Sequence, residues 1–538
     1  MYDYVIVGAG SAGCVLAHRL SEDPHCRVLL VEAGPRDRHP LIHMPAGLSR
    51  LVRNRRINWN YDTEPQPQLG GRRLWCPRGK VLGGSSSINA MCYVRGVPAD
   101  YDAWARAGAQ GWDWHGVLPY FRRSEANQRG ADALHGGDGP LCVSDLRFRN
   151  RLSEAFIDAG RQAGLPGNDD FNGDRQEGVG FYQVTQREGA RCSAASAYLA
   201  PVATRENLEV LTDVHVRRIL VEGGQAVGIA YAQRGLHAEA RAAREVLLCA
   251  GAINSPQLLM LSGIGPADAL RALDLPVHAD LPGVGANLQD HLDICTLVHT
   301  VPGVSYDRAS ELAIAWNYFL RGRRGAGTSN IAEAGGFVRS PLAEDERPDI
   351  QLHFVPAMLD DHGRHRLRGD GYTLHACFLR PRSRGHVRLR DADPRSTPAI
   401  DPAYLSDPEG VDLRRMVECA RLSRRLLAQP AFDPWRREPI FPARDDLDDA
   451  GLAAFVRAKA ETIYHPVGTC RMGAADDAGA VLDPSLRVRG VAGLRVVDAS
   501  AMPQLPGGNT NAPVMMMAER AADLVAGRAP GAGFPPSN

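Results

Sequence analysis

The stretch ETIYHPVGTCRMG at 461–473 sets His465, Thr469, Cys470 and Arg471 within a few positions of one another. An imidazole titrating near neutrality is suited to take a proton or to bind a metal, and a neighbouring thiol adds a nucleophile or a second ligand. Each chemistry needs its own companions. A zinc site wants further Cys or His at short spacing, and HPVGTC has none nearby. A cysteine nucleophile wants a thiol-enzyme context, which nothing else in the chain supplies. A general base wants a reacting group and a cofactor to work against, and a merely packed histidine wants neither.

Two glycine-rich loops supply such a context. VGAGSAG places Gly8, Gly10 and Gly13 in G-x-G-x-x-G spacing, directly after an apolar run and at the start of a helical one, with Glu32 closing the next apolar run. Glycines permit the tight turn and the close approach of a pyrophosphate, the helix N-terminus favours its charge, and the acid accepts from a ribose. The bland alternative is a structural glycine turn, and the fingerprint does not separate FAD from NAD. The second loop, GKVLGGSSSIN at 79–89, intersperses Val81, Leu82 and Ile88 among small residues. It suits a backbone held against a large, partly apolar ring system better than a surface linker.

These loops need elements to hold them. Tyr2 to Val7 reads as a strand, Ala12 to Leu20 as a helix and Arg27 to Glu32 as a second strand, a βαβ unit. Leu208 to Ala232 reads as antiparallel strands broken at a Gly-Gly turn, and Glu245 to Cys249 as a further strand. In GAINSPQLLMLSGIG, Ser255 and Pro256 suit N-cap and N1 of a helix ending near Gly263. The region 296–454, rich in Arg, Asp and Pro, has strand-like pieces and no phosphate-type glycine loop, so it reads as a separate domain.

Composition narrows the partners. Among 538 residues, Lys plus Arg and Asp plus Glu number 62 each, which argues against nucleic acid as a partner and for a small molecule. MYDYVIVGAG shows no secretory signal, and eleven cysteines without a C-x-x-C pair suit a reducing compartment. The expectation is a cytoplasmic protein, with peripheral association on the inner membrane face compatible with this.

Gly79-Lys80-x-Leu82-Gly83-Gly84-Ser85-Ser86-x-Ile88-Asn89, followed by Tyr93, Gly96 and Asp102, resembles the first signature of the glucose-methanol-choline (GMC) oxidoreductase family. Residues 251–265 are similar to its second signature, and GVGANLQDHL at 283–292 and the C-terminal block extend the resemblance over nearly the whole chain. It implies an α/β fold with two domains. One is a discontinuous, Rossmann-like FAD domain (1–150, 190–295 and 455–530). The other is an α+β substrate domain of antiparallel sheet and helices (151–189 and 296–454). The tail 531–538 is expected to be disordered.

The resemblance also assigns residues. Gly8, Gly10, Ser11, Ala12, Gly13, Glu32, Val81, Gly84, Ser85, Asn89, Ala90, Met91, Cys92, Val216, Asp498, Asn509 and Thr510 match cofactor positions. His465 matches the catalytic histidine and Asn509 its partner. A flavin accepts only the hydride of an alcohol, so an imidazole is needed for the proton, and a neutral amide orients the oxygen without competing for it. A helix starting near Pro513 would aim its N–H groups at the negative charge of a reduced flavin. Relatives with covalent flavin carry a histidine where this chain has Ile88, so non-covalent FAD is expected, and no metal.

Tyr464, His353 and Glu333 match substrate positions, Glu333 lying near the carboxylate of choline-oxidising members. Ala332 stands where choline dehydrogenases usually carry phenylalanine. Other stretches, PLIHMPAGL among them, look closer to members that oxidise aliphatic primary alcohols. The leading expectation is therefore an alcohol dehydrogenase that passes electrons to a quinone, a similar acceptor or oxygen. Choline oxidation is the alternative, and a hydroxynitrile lyase is a further one.

Overall fold

The computed structural model describes the chain except Arg366, Asp445, residues 529–538 and the side chain of His362, so the tail expectation lies outside the described residues. The strands of its two large sheets run, in chain order, β1 (Tyr2–Val7), β2 (Val28–Val31), β3 (Gly178–Phe181), β4 (Leu208–Leu211), β5 (Val214–Glu222), β6 (Gln225–Gln233) and β7 (Leu236–Leu248). They continue with β8 (Leu292–Thr300), β9 (Ala334–Val338), β10 (Ile350–Val355), β11 (Gly371–Phe378), β12 (Arg436–Phe441), β13 (Glu461–Thr462) and β14 (Leu494–Val496). The helices used below are α1 (Ser11–Leu20), α2 (Leu48–Leu51), α3 (Trp114–Ser124), α4 (Arg151–Gln162), α5 (Gly251–Leu261), α6 (Glu311–Phe319), α7 (Val411–Leu427) and α8 (Asn511–Ala526).

The first seven-stranded sheet has the order β4-β2-β1-β7-β6-β5, with β14 joined to β7. Its β4, β2, β1, β7 and β14 pair in parallel; the apolar runs of β2, β1, β14 and the end of β7 are buried, as strands covered on both faces must be, while the edge strand β4 is only half-buried. The long β7 leaves this core to pair antiparallel with β6, which turns back to β5 through Gly223 and Gly224, both at positive φ. One expectation changes here: β4 belongs to the parallel core beside β2 and not to the antiparallel unit. Four residues carry too little pattern to select a partner, and the edge of β2 offered unpaired backbone groups. Close packing of α1 on β1 requires Gly13, since a Cβ there would stand 1.9 Å from the Gly8 carbonyl.

Helix α5 begins at Gly251, so Ser255 and Pro256 lie inside it and are not its cap. The Asp498 carboxylate, arriving from the end of the β14 segment, accepts from Gly251 N–H (2.8 Å) and Ser255 Oγ (2.6 Å), doing from a distance what a local cap would do. Pro256 has no N–H for the Ala252 carbonyl four residues earlier. Thr469 Oγ1 donates to that carbonyl instead, at 2.6 Å. A threonine of the histidine-bearing stretch thus repairs a gap in a distant helix.

The second seven-stranded sheet is antiparallel, in the order β12-β8-β11-β10-β9-β3, with β13 on β8. Alternation sorts its residues. Ile350, Leu352 and Phe354 of β10 and Tyr372, Leu374 and Ala376 of β11 pack under α4 and α7. Gln351, His353 and His375 fall on the opposite face. β8 starts at Leu292, and β13, from the segment 455–530, pairs with it in the second sheet.

Helix α8 is held by Glu519, which is fully buried. Its carboxylate accepts from Arg19 of α1 (2.8 and 2.9 Å), Arg123 of α3 (2.8 Å) and Tyr198 Oη (2.9 Å). The two guanidinium groups outweigh burial and hold the carboxyl below its usual range. Removing one side of such a network leaves buried charge uncompensated, at a cost of about 3–5 kcal/mol. Glu519→Gln is therefore expected to lower the urea unfolding midpoint clearly, whereas Glu311→Gln on the exposed α6 leaves it nearly unchanged.

Candidate active site

The chain leaves β13 at Thr462 and turns sharply so that Tyr464 adopts φ +70°, a left-handed conformation unusual for a bulky residue. Hydrogen bonds hold it there. Asp290, just before β8, accepts from His465 N–H (2.7 Å) and His291 N–H (3.0 Å) through Oδ1, and from Tyr404 Oη (2.5 Å) and Thr462 Oγ1 through Oδ2. Arg78 Nη2 donates to the Tyr464 carbonyl at 2.7 Å, and Tyr464 N–H to Thr462 Oγ1 at 2.9 Å.

This loop aims His465 between two partners. Its Nδ1 lies 3.0 Å from Nδ1 of His291, and its Nε2 lies 3.2 Å from Nδ2 of Asn509. Asn509 Oδ1 accepts from Gln351 Nε2 at 3.0 Å, so the amide turns its N–H end to His465. With that orientation the network assigns the His465 proton to Nδ1, shared with His291, and leaves a lone pair on Nε2. Gln351 Nε2 also lies 3.2 Å from Nε2 of His353. Burial, then the neighbouring His291, His353 and Arg78, push His465 well below the ordinary imidazole value. Burial likewise takes His353 down to about 4 and His291 to about 3. Burial keeps the cluster neutral at pH 7, with the His465 Nε2 lone pair unprotonated.

One continuous cavity runs from this cluster to the glycine loops. Among the expected residues, Gly8, Gly10, Ser11, Ala12, Glu32, Gly84, Ser85, Asn89, Ala90, Met91, Cys92, Val216, Asp498, Asn509, Thr510, Tyr464, His353 and His465 line it. Gly13 and Val81 do not: Gly13 serves the α1–β1 contact, and Val81 packs with Ile42, Leu51, Ile57 and Ile88. Glu333 is corrected more strongly. It is fully buried away from the cavity, accepting from Asn150 N–H (2.7 Å), Ser153 Oγ (2.8 Å), Ser329 Oγ (2.6 Å) and Tyr306 Oη. A carboxylate saturated by four donors is a structural knot. Cys470 lies in the first sheet's core, outside the cavity, and Arg471 pairs with Asp477 at 2.9 Å.

Residues beyond the expected set complete the site. Arg78 and His375 line the cavity, while Asp290, His291 and Gln351 support it. Their signal in the sequence was weak but present: polar residues set into apolar strands, as in QDHLDICTL and DIQLHFVP. His375 Nδ1 lies 2.6 Å from Asp293 Oδ2 and 3.1 Å from Cys295 Sγ. Among the described residues this trio is compact enough for a metal ion. Burial, followed by the Asp293 charge, raises the Cys295 thiol well above its usual value, which favours a hydrogen-bonded polar cluster.

The cavity also suits a long, anionic dinucleotide. Helices α1, α5 and α8 present their N-terminal residues to it, and none carries an acid in its first turn. Ser11 Oγ donates to Asn511 Oδ1 at 2.7 Å, joining two of those ends. A Cβ on Gly10 would meet nothing within 4 Å and would project into cavity space. Glu32, in its wall, accepts from Ala9 and Gly34 N–H (2.9 and 2.8 Å), and Val216, Trp59, His465 and Asn509 line it too. A dinucleotide cradle of this kind with a neutral buried histidine in its wall defines an oxidoreductase class.

The comparisons sharpen that class. GMC oxidoreductase family models match residues 2–293 and 381–518. The chain is 49% identical over 532 residues to alcohol dehydrogenase [acceptor] of Pseudomonas putida, covering 98% of this chain and 96% of that protein. It is 47% identical over 541 residues to the mitochondrial choline dehydrogenase of Mus musculus, covering 98% and 89%. Formate oxidase of Aspergillus oryzae, described for modification of its FAD, superposes with a TM-score of 0.90 at 28% identity, covering 98% of each chain. The chain belongs to the GMC oxidoreductase family, and it is an FAD-dependent oxidoreductase.

The depressed histidines predict a pH dependence of stability. Unfolded, these groups titrate near 6.5. Between that value and their lowered folded values the unfolded chain binds more protons, so stability is present above about pH 6.5 and falls on acidification. Urea midpoints measured from pH 7.5 downwards are expected to decline below about pH 6.5, and His291→Gln to decline less steeply. A flat profile in the unsubstituted protein would contradict the neutral cluster.

Proposed function

We propose that this protein oxidises a neutral, apolar primary alcohol to the aldehyde, using FAD held without a covalent bond. When bound, FAD supplies the hydride acceptor. The chain supplies the rest. His465 Nε2 takes the hydroxyl proton, Asn509 Nδ2 orients the oxygen, and the Nδ1 hydrogen bond to His291 steadies the imidazolium so formed. The N-terminus of α8 offers positive potential beside that pair.

The observation that carries the substrate class is the cavity wall. Ile331, Ala332, Val355, Leu359 and Ile463 make it apolar. The carboxylates lining it, among the described residues, are Glu32 and Asp498, both engaged with backbone N–H groups of the glycine loop and α5. The Asp293 carboxylate stands behind His375 and reaches the cavity only through it. A quaternary ammonium therefore meets Tyr464 but no free carboxylate. Choline is the second reading, supported by the 47% identity to a choline dehydrogenase.

Ile88 in the cavity wall supports non-covalent FAD. Acid precipitation is expected to leave the flavin in the supernatant; flavin retained on the polypeptide would contradict this. All eleven cysteines are unpaired, which supports the cytoplasm as its compartment. Among the described residues no helix is long and apolar enough to cross a membrane.

The deciding experiment mixes holoenzyme anaerobically with medium-chain primary alcohols and, separately, choline, following flavin bleaching, then adds a quinone or oxygen to find the acceptor. Medium-chain alcohols are expected to bleach the flavin, and His465→Ala to slow this by about 10²–10⁴-fold. Bleaching by choline alone would replace the substrate assignment, and no bleaching by any alcohol would point to the lyase alternative.

A further inference from the structure

Helix α6 leaves its apolar residues in solvent. Leu312, Trp316 and Leu320 are 85%, 59% and 67% exposed, and Phe319 is exposed with them. At 100° per residue these four positions fall within an arc of about 100° on one helix face. The opposite face holds the helix to the protein: Tyr318, its one buried residue, donates from Oη to the His43 carbonyl at 2.7 Å, and Glu311 pairs with Arg50 of α2 at 2.5 Å. The apolar stripe is therefore presented outward by a fixed helix, and it is not an unfolded end.

The surroundings are basic. The stretches 48–56 and 309–324 contain seven arginines and a single acid, Glu311. Arg321, Arg323 and Arg324 follow the stripe directly and are exposed; Arg50, which reaches Glu311, is exposed too, as are Arg53, Arg55 and Arg56 close after it in sequence. An apolar face carrying a tryptophan, fringed by arginine, combines what the headgroup region of an anionic bilayer accepts: ring and aliphatic groups below, cations at the phosphate level. A twofold pairing of two copies through this face would instead bring arginine fringes against each other.

We propose that α6, with the arginines of its two flanking stretches, is the surface by which this protein docks on an anionic lipid bilayer. The short α2 links that surface to the active site, since Leu48 and Val52 at its two ends line the cavity while Arg50 between them faces α6. Resting on the function proposed above, docking would let an apolar alcohol pass from the membrane to His465 with little exposure to water. The docking itself depends only on the surface.

Flotation of the holoenzyme with vesicles tests it. The enzyme is expected to float with phosphatidylglycerol–phosphatidylcholine vesicles at low salt, weakly with phosphatidylcholine alone, and to be released by added salt. Replacing Leu312, Trp316, Phe319 and Leu320 by serine is expected to abolish binding. Arg321→Gln, Arg323→Gln and Arg324→Gln together are expected to weaken it by roughly 100-fold, with FAD content kept in both variants. No flotation of the unsubstituted enzyme, or equal flotation of the variants, would overturn the proposal. So would a dimer that the serine variant converts to monomer, which would assign the face to a second copy. Turnover of a short, water-soluble alcohol with a soluble dye is read in parallel; its absence in the unsubstituted enzyme would remove the proposed substrate without touching vesicle binding.

Discussion

A buried carboxylate fixes the geometry of this site. Asp290 sits where the second sheet begins, and burial pushes its carboxyl up while hydrogen bonds to Thr462, Tyr404 and His465 pull it back. An unsatisfied carboxylate at such a depth is costly, so its four donors are held in place together. Two are the backbone N–H groups of His291 and His465, which sets the two rings 3.0 Å apart at their Nδ1 atoms. The unusual φ of Tyr464 persists because the groups on either side of it are already held.

The other half of the site comes from the first sheet. Three helix N-termini, those of α1, α5 and α8, reach one cavity, and Glu519 clamps α8 to α1 and α3 from within the core. Asn509 therefore arrives at His465 from the side of the first sheet, carried by the loop that opens α8. The candidate site is the seam between the helix N-termini at the first sheet and the histidine-bearing face of the second. Its electrostatics follow from that seam: positive potential without a mobile cation on one side, imidazoles kept neutral by burial on the other.

Local patterns were legible where they were dense. The βαβ unit, the glycine fingerprint with Glu32, and the long family signatures each occupy a short window in which spacing alone constrains the backbone. Patterns spread over distance misled. Ser255 and Pro256 look like a cap and first turn because the true capping group, Asp498, lies far along the chain, just beyond β14. Residues 208–211 look like part of the following meander because a four-residue strand carries no mark of its partner. Glu333 is a carboxylate in the right neighbourhood whose donors, Asn150, Ser153 and Tyr306, come from elsewhere in the chain.

Residue types and local backbone are properties of neighbours along the chain, so the sequence by itself determined the family and the dinucleotide loop, and it singled out His465 and Asn509, which the fold brings to 3.2 Å of each other. Which face of a strand looks into the cavity, which buried acid is already satisfied, and which apolar helix face is left in solvent are properties of neighbours in space. Only the tertiary structure decided those. It removed Glu333 from the substrate, set His291 behind His465 and Gln351 behind Asn509, and turned the stripe of α6 outward, because each outcome depends on which distant groups reach the same place first.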